Sequence, residues 1–346
     1  MVMRKDAVVE LATEVLLPKA QAEWQRLESI DGWLRWTPEQ IAVPNHASQE
    51  QKGLRDLAES GWMRLVVTNL AQQLLAEQCT SSQRTPPDGE RVSPVMGPWL
   101  RNRMESRQRA IHRAALGYGY AYTTVMPGDA GSVIRGRSPR EMFAAYQDPV
   151  VDEYPMYYLL KSGPNGFLVV DEDTVFTLQR DPSGRLKYIT EDYHDTGVAP
   201  AIRYSNQIDL EGRTPGEIEP LIKEAKRVHK TTFDRLLQQH FNSWKVKTAT
   251  GLDMPEDADE RRRVKAILEH DSILMGEEGV TFGTLAETPL AGIIAAEDRD
   301  VETFAAVAQT PAHALTGKMV NLSADAISEA RAMLDLKAGE RKLGFG

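Results

Sequence analysis

The stretch Glu217-Ile218-Glu219-Pro220-Leu221-Ile222-Lys223-Glu224-Ala225-Lys226-Arg227-Val228-His229-Lys230-Thr231-Thr232-Phe233-Asp234-Arg235-Leu236-Leu237-Gln238-Gln239-His240-Phe241 decides how this chain is read. Its apolar residues recur at three- and four-residue steps, which predicts a helix over 217–241, roughly 37 Å long at 1.5 Å per residue. Ile218, Leu221, Ala225, Val228 and Leu236 make one apolar stripe, and Ile222, Phe233, Leu237 and Phe241 make a second, offset around the cylinder. Lys223, Lys226, Arg227 and Lys230 lie between them. A helix packed on one core normally needs a single stripe. Two stripes fit neighbours on two sides, and the pattern alone fits a helix buried in its own domain equally well.

Before this helix the chain changes character once. Leu57, Trp62, Leu65, Val66, Leu70 and Leu74 keep helical spacing, and a second helix is expected over 98–116, ending at Gly117. Between them, 81–89 reads as a loop by its turn residues. Residues 118–125 are rich in Tyr and Thr, which suit a pleated sheet. Further strands are expected at 156–160, 167–170, 175–178 and 186–190, separated by Gly163-Pro164-Asn165-Gly166 and Asp181-Pro182-Ser183-Gly184. Short strands at this spacing predict an antiparallel meander, hence an α+β fold class. Beyond the boundary at Gly212–Gly216 and the long helix comes a small module: strands at 244–250, 272–275 and 280–285 around a helix at 257–270. A helix over about 297–309 ends at Thr310-Pro311, a loop runs through 315–322, and a last helix follows Ser323 as N-cap.

The chain has 346 residues and a net charge of -9. Between Gly251 and Glu302 there are fourteen acidic and five basic residues, and the rest of the chain holds 36 of each sign. All the net charge therefore sits in one stretch. The acidic balance argues against nucleic-acid binding by bulk attraction. No apolar run approaches the ~20 residues of a membrane-spanning helix, and the start of the chain is no secretory signal. The single cysteine, Cys79, excludes an internal disulfide framework and a Cys-rich zinc site, so a soluble protein of a reducing compartment is expected.

Motifs of catalysis fail one by one. Gly317-Lys318 resembles the end of a phosphate-binding loop, but Ala312 and Met319 replace the glycine and hydroxyl that such a loop needs. The seven histidines show no metal-ligand spacing, and His229 and His240 read as helix-packing residues. Asp171, Glu172 and Asp173 are the one acidic cluster that suits a divalent ion, and a solvated turn between strands explains it better. No metal, cofactor or enzymatic activity is expected. A metal-dependent nuclease using Asp171 and Asp173 is the alternative from another class, and a head-completion connector is a third.

Three segments carry a resemblance. Thr310-Pro311-Ala312-His313-Ala314-Leu315-Thr316-Gly317, Asn321-Leu322-Ser323-Ala324-Asp325-Ala326-Ile327 and Leu65-Val66-Val67-Thr68-Asn69-Leu70-Ala71-Gln72 stand in the same order as similar segments of the portal proteins of tailed bacteriophages. The chain resembles in particular the group like the portal of Bacillus phage SPP1 found in actinobacterial phages. The resemblance implies a portal fold: a wing of helices and sheet (1–206), a stem helix (207–243), a clip module (244–290), a second stem helix (291–313), a tunnel loop (314–323) and the start of a tunnel helix (324–346). The family normally continues past this helix into more wing and a crown; the sequence ends at Gly346, so either those parts are absent or they lie beyond the residues given.

The resemblance further implies a ring, usually of twelve copies, at one vertex of the head, assembled in the host cytoplasm and carried in the virion. Double-stranded DNA passes through it, and its expected partners are the major capsid protein, the terminase large subunit and the head–tail adaptor, with no membrane. On this reading Lys318, Met319 and Asn321 come nearest the DNA, although Lys318 also reads as a surface lysine. Glu297, Asp298, Asp300 and Glu302, at a helix start, line the channel. Leu221, Ile222, Phe233, Leu237 and Phe241 meet neighbouring subunits. Trp244, Glu256, Asp257, Asp259 and Glu260 meet terminase and adaptor, or the acids among them simply face solvent.

Overall fold

The computed structural model describes residues 3–35, 42–43, 47–76, 96–129, 131–243, 247–250, 257–259, 281–284, 289–317 and 324–345. The chain separates into two units: Met1–Gln40, Ser60–Arg227 and Val301–Gly346 form the first, Ile41–Glu59 and Val228–Asp300 the second.

The first unit opens with α1 (Lys5–Glu10), which widens into a π-helical stretch (Leu11–Leu16) before α2 (Leu17–Arg35). Pro18 accounts for the widening: it has no N–H for the carbonyl four residues back, and its ring clashes there in a regular α-helix. The helix expected from Leu57 to Leu74 is two helices, α3 (Gln49–Ala58) and α4 (Trp62–Ala71). A capping box starts α3, with Gln51 N donating to Ser48 Oγ at 3.1 Å and Ser48 N to Gln51 Oε1 at 3.1 Å. The break falls at Ser60-Gly61, where helix propensity is poor. Leu57 is consequently 73% exposed, while Val66, Val67 and Leu70 of α4 are buried.

The helix expected over 98–116 is likewise divided, into α5 (Met96–Arg101) and α6 (Met104–Tyr118), with Arg103 left-handed at φ 54°. Asn102 explains the break. Its Nδ2 donates to Pro98 O and Ser132 O, each at 2.8 Å, and its Oδ1 accepts from Ile134 N at 3.0 Å, so it serves the neighbouring strand. The stop is Gly119, not Gly117: Gly119 has φ 99°, and a Cβ there would lie 1.9 Å from Thr214 O.

Two antiparallel sheets follow. In the first, β1 (Tyr120–Met126) lies between β2 (Val133–Arg137) and β8 (Ala201–Ser205). The second is the expected meander: β3 (Met142–Ala145), β4 (Tyr157–Lys161), β5 (Gly166–Val170), β6 (Thr174–Arg180) and β7 (Leu186–Tyr193), in sequential order. Alternate residues Phe167 and Val169, Phe176 and Leu178 point to one face. They pack against Val8, Ala12, Leu16 and Ala20, one stripe of the opening helices. The strands β2, β3 and β8 were not anticipated.

The long helix is confirmed with a later start: a 3-10 turn (Glu219–Leu221) leads into α7 (Ile222–Ser243). In the second unit, β9 (Lys247–Thr250) pairs antiparallel with β10 (Thr281–Thr284), as two of the expected module strands. The third strand (272–275) and the expected helix beyond residue 259 lie outside the described residues. The helix expected over about 297–309 is α8 (Ala291–Val307), beginning six residues earlier than its acidic cluster suggested. Gln309 then turns left-handed at φ 51°, and a short α9 (Ala312–Thr316) occupies the first part of the expected loop. Leu315 is buried there, so any loop begins no earlier than Gly317. The final helix, α10 (Ala324–Phe345), runs two residues beyond the expected end. Among the described residues no helix is long and apolar enough to cross a membrane.

Candidate assembly and channel surfaces

In the second unit α7 and α8 lie side by side, joined through polar side chains. Thr231 Oγ1 donates to Asp300 Oδ2 at 2.6 Å, Thr232 Oγ1 donates to Glu297 Oε1 at 2.9 Å, and the Arg235 guanidinium pairs with Glu297. The contacts advance along α7 as they step back along α8, so the helices run antiparallel. Threonine hydroxyls and one arginine satisfy two carboxylates that partial burial leaves short of water.

This arrangement changes the reading of the four helix acids. Glu297 and Asp300 are half-buried and hydrogen-bonded to the partner helix of their own chain, whereas Asp298 and Glu302 are exposed. None of the four stands in the first turn, because α8 already starts at Ala291. The local stabilisation of carboxylates by a helix N-terminus therefore does not explain them.

The five stem residues are also sorted by the fold. Leu221 is 1% exposed and Phe233 7%, so each is buried within its own chain and offers no surface to a neighbour. Ile222 and Leu237 are half-buried, and Phe241 is 52% exposed. His229 is buried, as a packing residue should be; His240 stacks edge-on to Phe241, with Nε2 3.9 Å from Glu50 Oε2. Of the module residues, Asp257 and Asp259 are exposed. Trp244, Glu256 and Glu260 lie outside the described residues, as do Lys318, Met319 and Asn321 of the loop and Cys79.

The acidic cluster at 171–173 is a turn. Asp171 Oδ1 accepts from Asp173 N at 3.0 Å and from Thr174 N at 2.7 Å, capping the link between β5 and β6. Among the described residues no group of three His, Cys, Asp or Glu is placed to hold a metal ion.

One group in the first unit escaped the sequence reading. Glu217, just before the 3-10 turn, receives Lys337 Nζ at 2.5 Å and Arg341 Nε at 3.0 Å, both from α10. All three are buried: 7%, 7% and 2% exposed. Lys337 also donates to Ala308 O at 2.9 Å, and Arg341 reaches Glu340 at 3.0 Å. Burial pushes the Glu217 carboxyl up, but Lys337 and Arg341 outweigh it and hold it below the ordinary carboxylate value. The only local signal was the i, i+4 spacing of Lys337 and Arg341, since their partner lies 124 residues from Arg341. The group borders a cleft of about 970 Å³ lined by five cations and four anions, which nearly cancel.

No curated protein matches this chain. A family does: the phage portal proteins described as SPP1 Gp6-like match residues 17–345, nearly its whole length. With that coverage, and with the helix–sheet body, paired long helices and small β-ribbon in the order the sequence led us to expect, the chain belongs to the SPP1 Gp6-like family of phage portal proteins.

Proposed function

We propose that copies of this chain, about twelve, close into a ring at one vertex of the phage head and form the channel through which DNA is packaged and later ejected. The family match over residues 17–345 carries this reading, and the exposed outer sides of the α7–α8 pair support it. The work of translocation falls to the terminase motor, and this chain acts as conduit and docking ring rather than as an enzyme. The module around β9 and β10 is the part we assign to terminase and then to the head–tail adaptor, with Asp257 and Asp259 exposed for such contacts. The wing faces the major capsid protein.

The acidic stretch suits a conduit. Each phosphate neutralised by a cation adds salt-dependent affinity, and a bore that grips DNA slows it. Surplus carboxylates keep the wall from gripping, over a range limited to the Debye length of ~8 Å. Lys318, in the loop nearest the duplex, supplies at most one transient phosphate contact per subunit, with Met319 and Asn321 beside it.

A mass measurement of the purified particle tests the ring directly: a single high-mass species with a central hole in negative-stain images is expected. A chain that stays monomeric at high concentration overturns the reading. For the loop, Lys318→Ala is expected to leave the ring intact and to reduce DNA retained per head. Packaging and retention equal to the parent's would remove Lys318 from the channel wall.

A further inference from the structure

Arg26, Arg140, Arg213, Arg235 and Arg341 each hold a carboxylate of this chain. One run of five arginines does not. Arg101 on α5, Arg103 at the N-cap of α6, and Arg107, Arg109 and Arg113 along α6 are all exposed. None of them is in an ion pair among the described residues. Arg101 lies against Gly131 in the β1–β2 turn. The five cations stand against two acids, Glu105 on α6 and Asp129 in that turn, both exposed. The sequence keeps this face against its local cost. Arg103 and Arg107, and Arg109 and Arg113, stand four residues apart, where like charges weaken a helix. Arg103 and Arg107 also lie at the N-terminal end, where the helix dipole disfavours cations.

On its inner side α6 buries Met104, Ile111 and Ala115, with Ala121 of β1 and Ile134 of β2 packed against them. At 3.6 residues per turn, Ser106 and Ala110 form the crest of the outer side, and both are exposed. Arg103 and Arg107 flank the crest on one shoulder, Arg109 and Arg113 on the other. A helix with its side chains is about 10–12 Å across, and the major groove of B-DNA is about 12 Å wide. We infer that this face seats along the major groove of double-stranded DNA and holds phosphates on both rims. Two rows of one sign fit two phosphate chains, whereas a single acidic peptide would meet only one row. Arginine suits the task because its planar guanidinium forks phosphate oxygens and is weakly hydrated. With only Ser106 and Ala110 toward the bases, the contacts position the duplex and read no sequence. The net charge of -9 does not oppose this, since charges beyond a Debye length of ~8 Å are screened. A face that grips phosphate would slow a moving duplex, so it suits DNA at rest inside the head. In that placement alone the inference rests on the ring proposed above.

Fluorescence anisotropy of the full chain with a random-sequence duplex of about 16 base pairs, from about 50 to 200 mM salt, tests the site. With four phosphates neutralised, affinity is expected to fall about 150-fold over that range, a log–log slope of about −3.6. Arg103→Gln, Arg107→Gln, Arg109→Gln and Arg113→Gln combined should abolish binding and keep the parent's circular dichroism. Arg107→Gln alone should reduce the slope by about one. Parental affinity in the combined variant, a parental slope in Arg107→Gln, or no binding by the parent overturns the site. Tighter binding to poly-glutamate of equal charge than to the duplex overturns it as well, and makes the partner an acidic protein. Light scattering reads the ring separately: a chain that binds duplex through these arginines yet stays monomeric overturns the ring alone.

Discussion

Replacing Glu217 with alanine is expected to destabilise the chain by about 3–5 kcal/mol, the range for removing one partner from a buried ion group. Two buried cations would remain, Lys337 with the Ala308 carbonyl and Arg341 with Gln207 and Glu340, whose own side chain is 69% exposed. For a unit of this size the loss corresponds to a fall in melting temperature of roughly ten degrees. Glu217→Gln keeps the shape and the acceptor and should fall between. The pH dependence has a definite sign. The folded-state pKa of Glu217 lies below its ordinary 4.5, so its stabilisation is fully present above about pH 4.5 and is lost as pH falls through the lowered value. Urea unfolding between pH 3 and 7 checks both points. A loss under about 1 kcal/mol, or an acid limb unchanged in Glu217→Gln, would show that the three charges contribute little.

Leu221→Asp should have an effect of similar size, and of a different kind from the one its place in the sequence suggests. Leu221 itself reads as a neighbour contact in the sequence, but it is 1% exposed within a single chain. An unpaired carboxylate there costs several kcal/mol. The expected result is a chain that fails to fold or is recovered insoluble. Leu237→Asp, on the second apolar stripe and half-buried, should instead give a folded subunit with lost assembly. Comparing the two by circular dichroism and light scattering separates core from seam. A folded, monomeric Leu221→Asp protein would contradict the burial described here.

The contrast between these leucines marks how far periodicity reaches. A 3.6-residue repeat says which side chains share a face, and it located the long helix within a few residues. It does not say what lies opposite that face. Turn chemistry was similarly legible for the meander, where Gly163-Pro164-Asn165-Gly166 and Asp181-Pro182-Ser183-Gly184 separate strands whose order follows the chain. Strand β8 was missed because its partner β1 lies some eighty residues earlier and no local pattern announces a non-local ladder. The breaks at Ser60-Gly61 and Asn102 were passed over because apolar spacing continues across them. At Asn102 the deciding force is a side chain bonded to Ser132 and Ile134, thirty residues away.

By itself, then, the sequence determined the α+β order, the long helix with its basic stripe, the concentration of acid between 251 and 302, and the resemblance that the family match bears out. All of these depend on residues close together in the chain or on their order along it. The tertiary structure alone decided which apolar residues are core, that Glu297 and Asp300 are held by Thr231, Thr232 and Arg235, and that Glu217 closes on Lys337 and Arg341. Each of these is an energy of burial or of charge pairing between segments far apart in sequence, and it acquires a value only when the fold brings the partners together and excludes water between them.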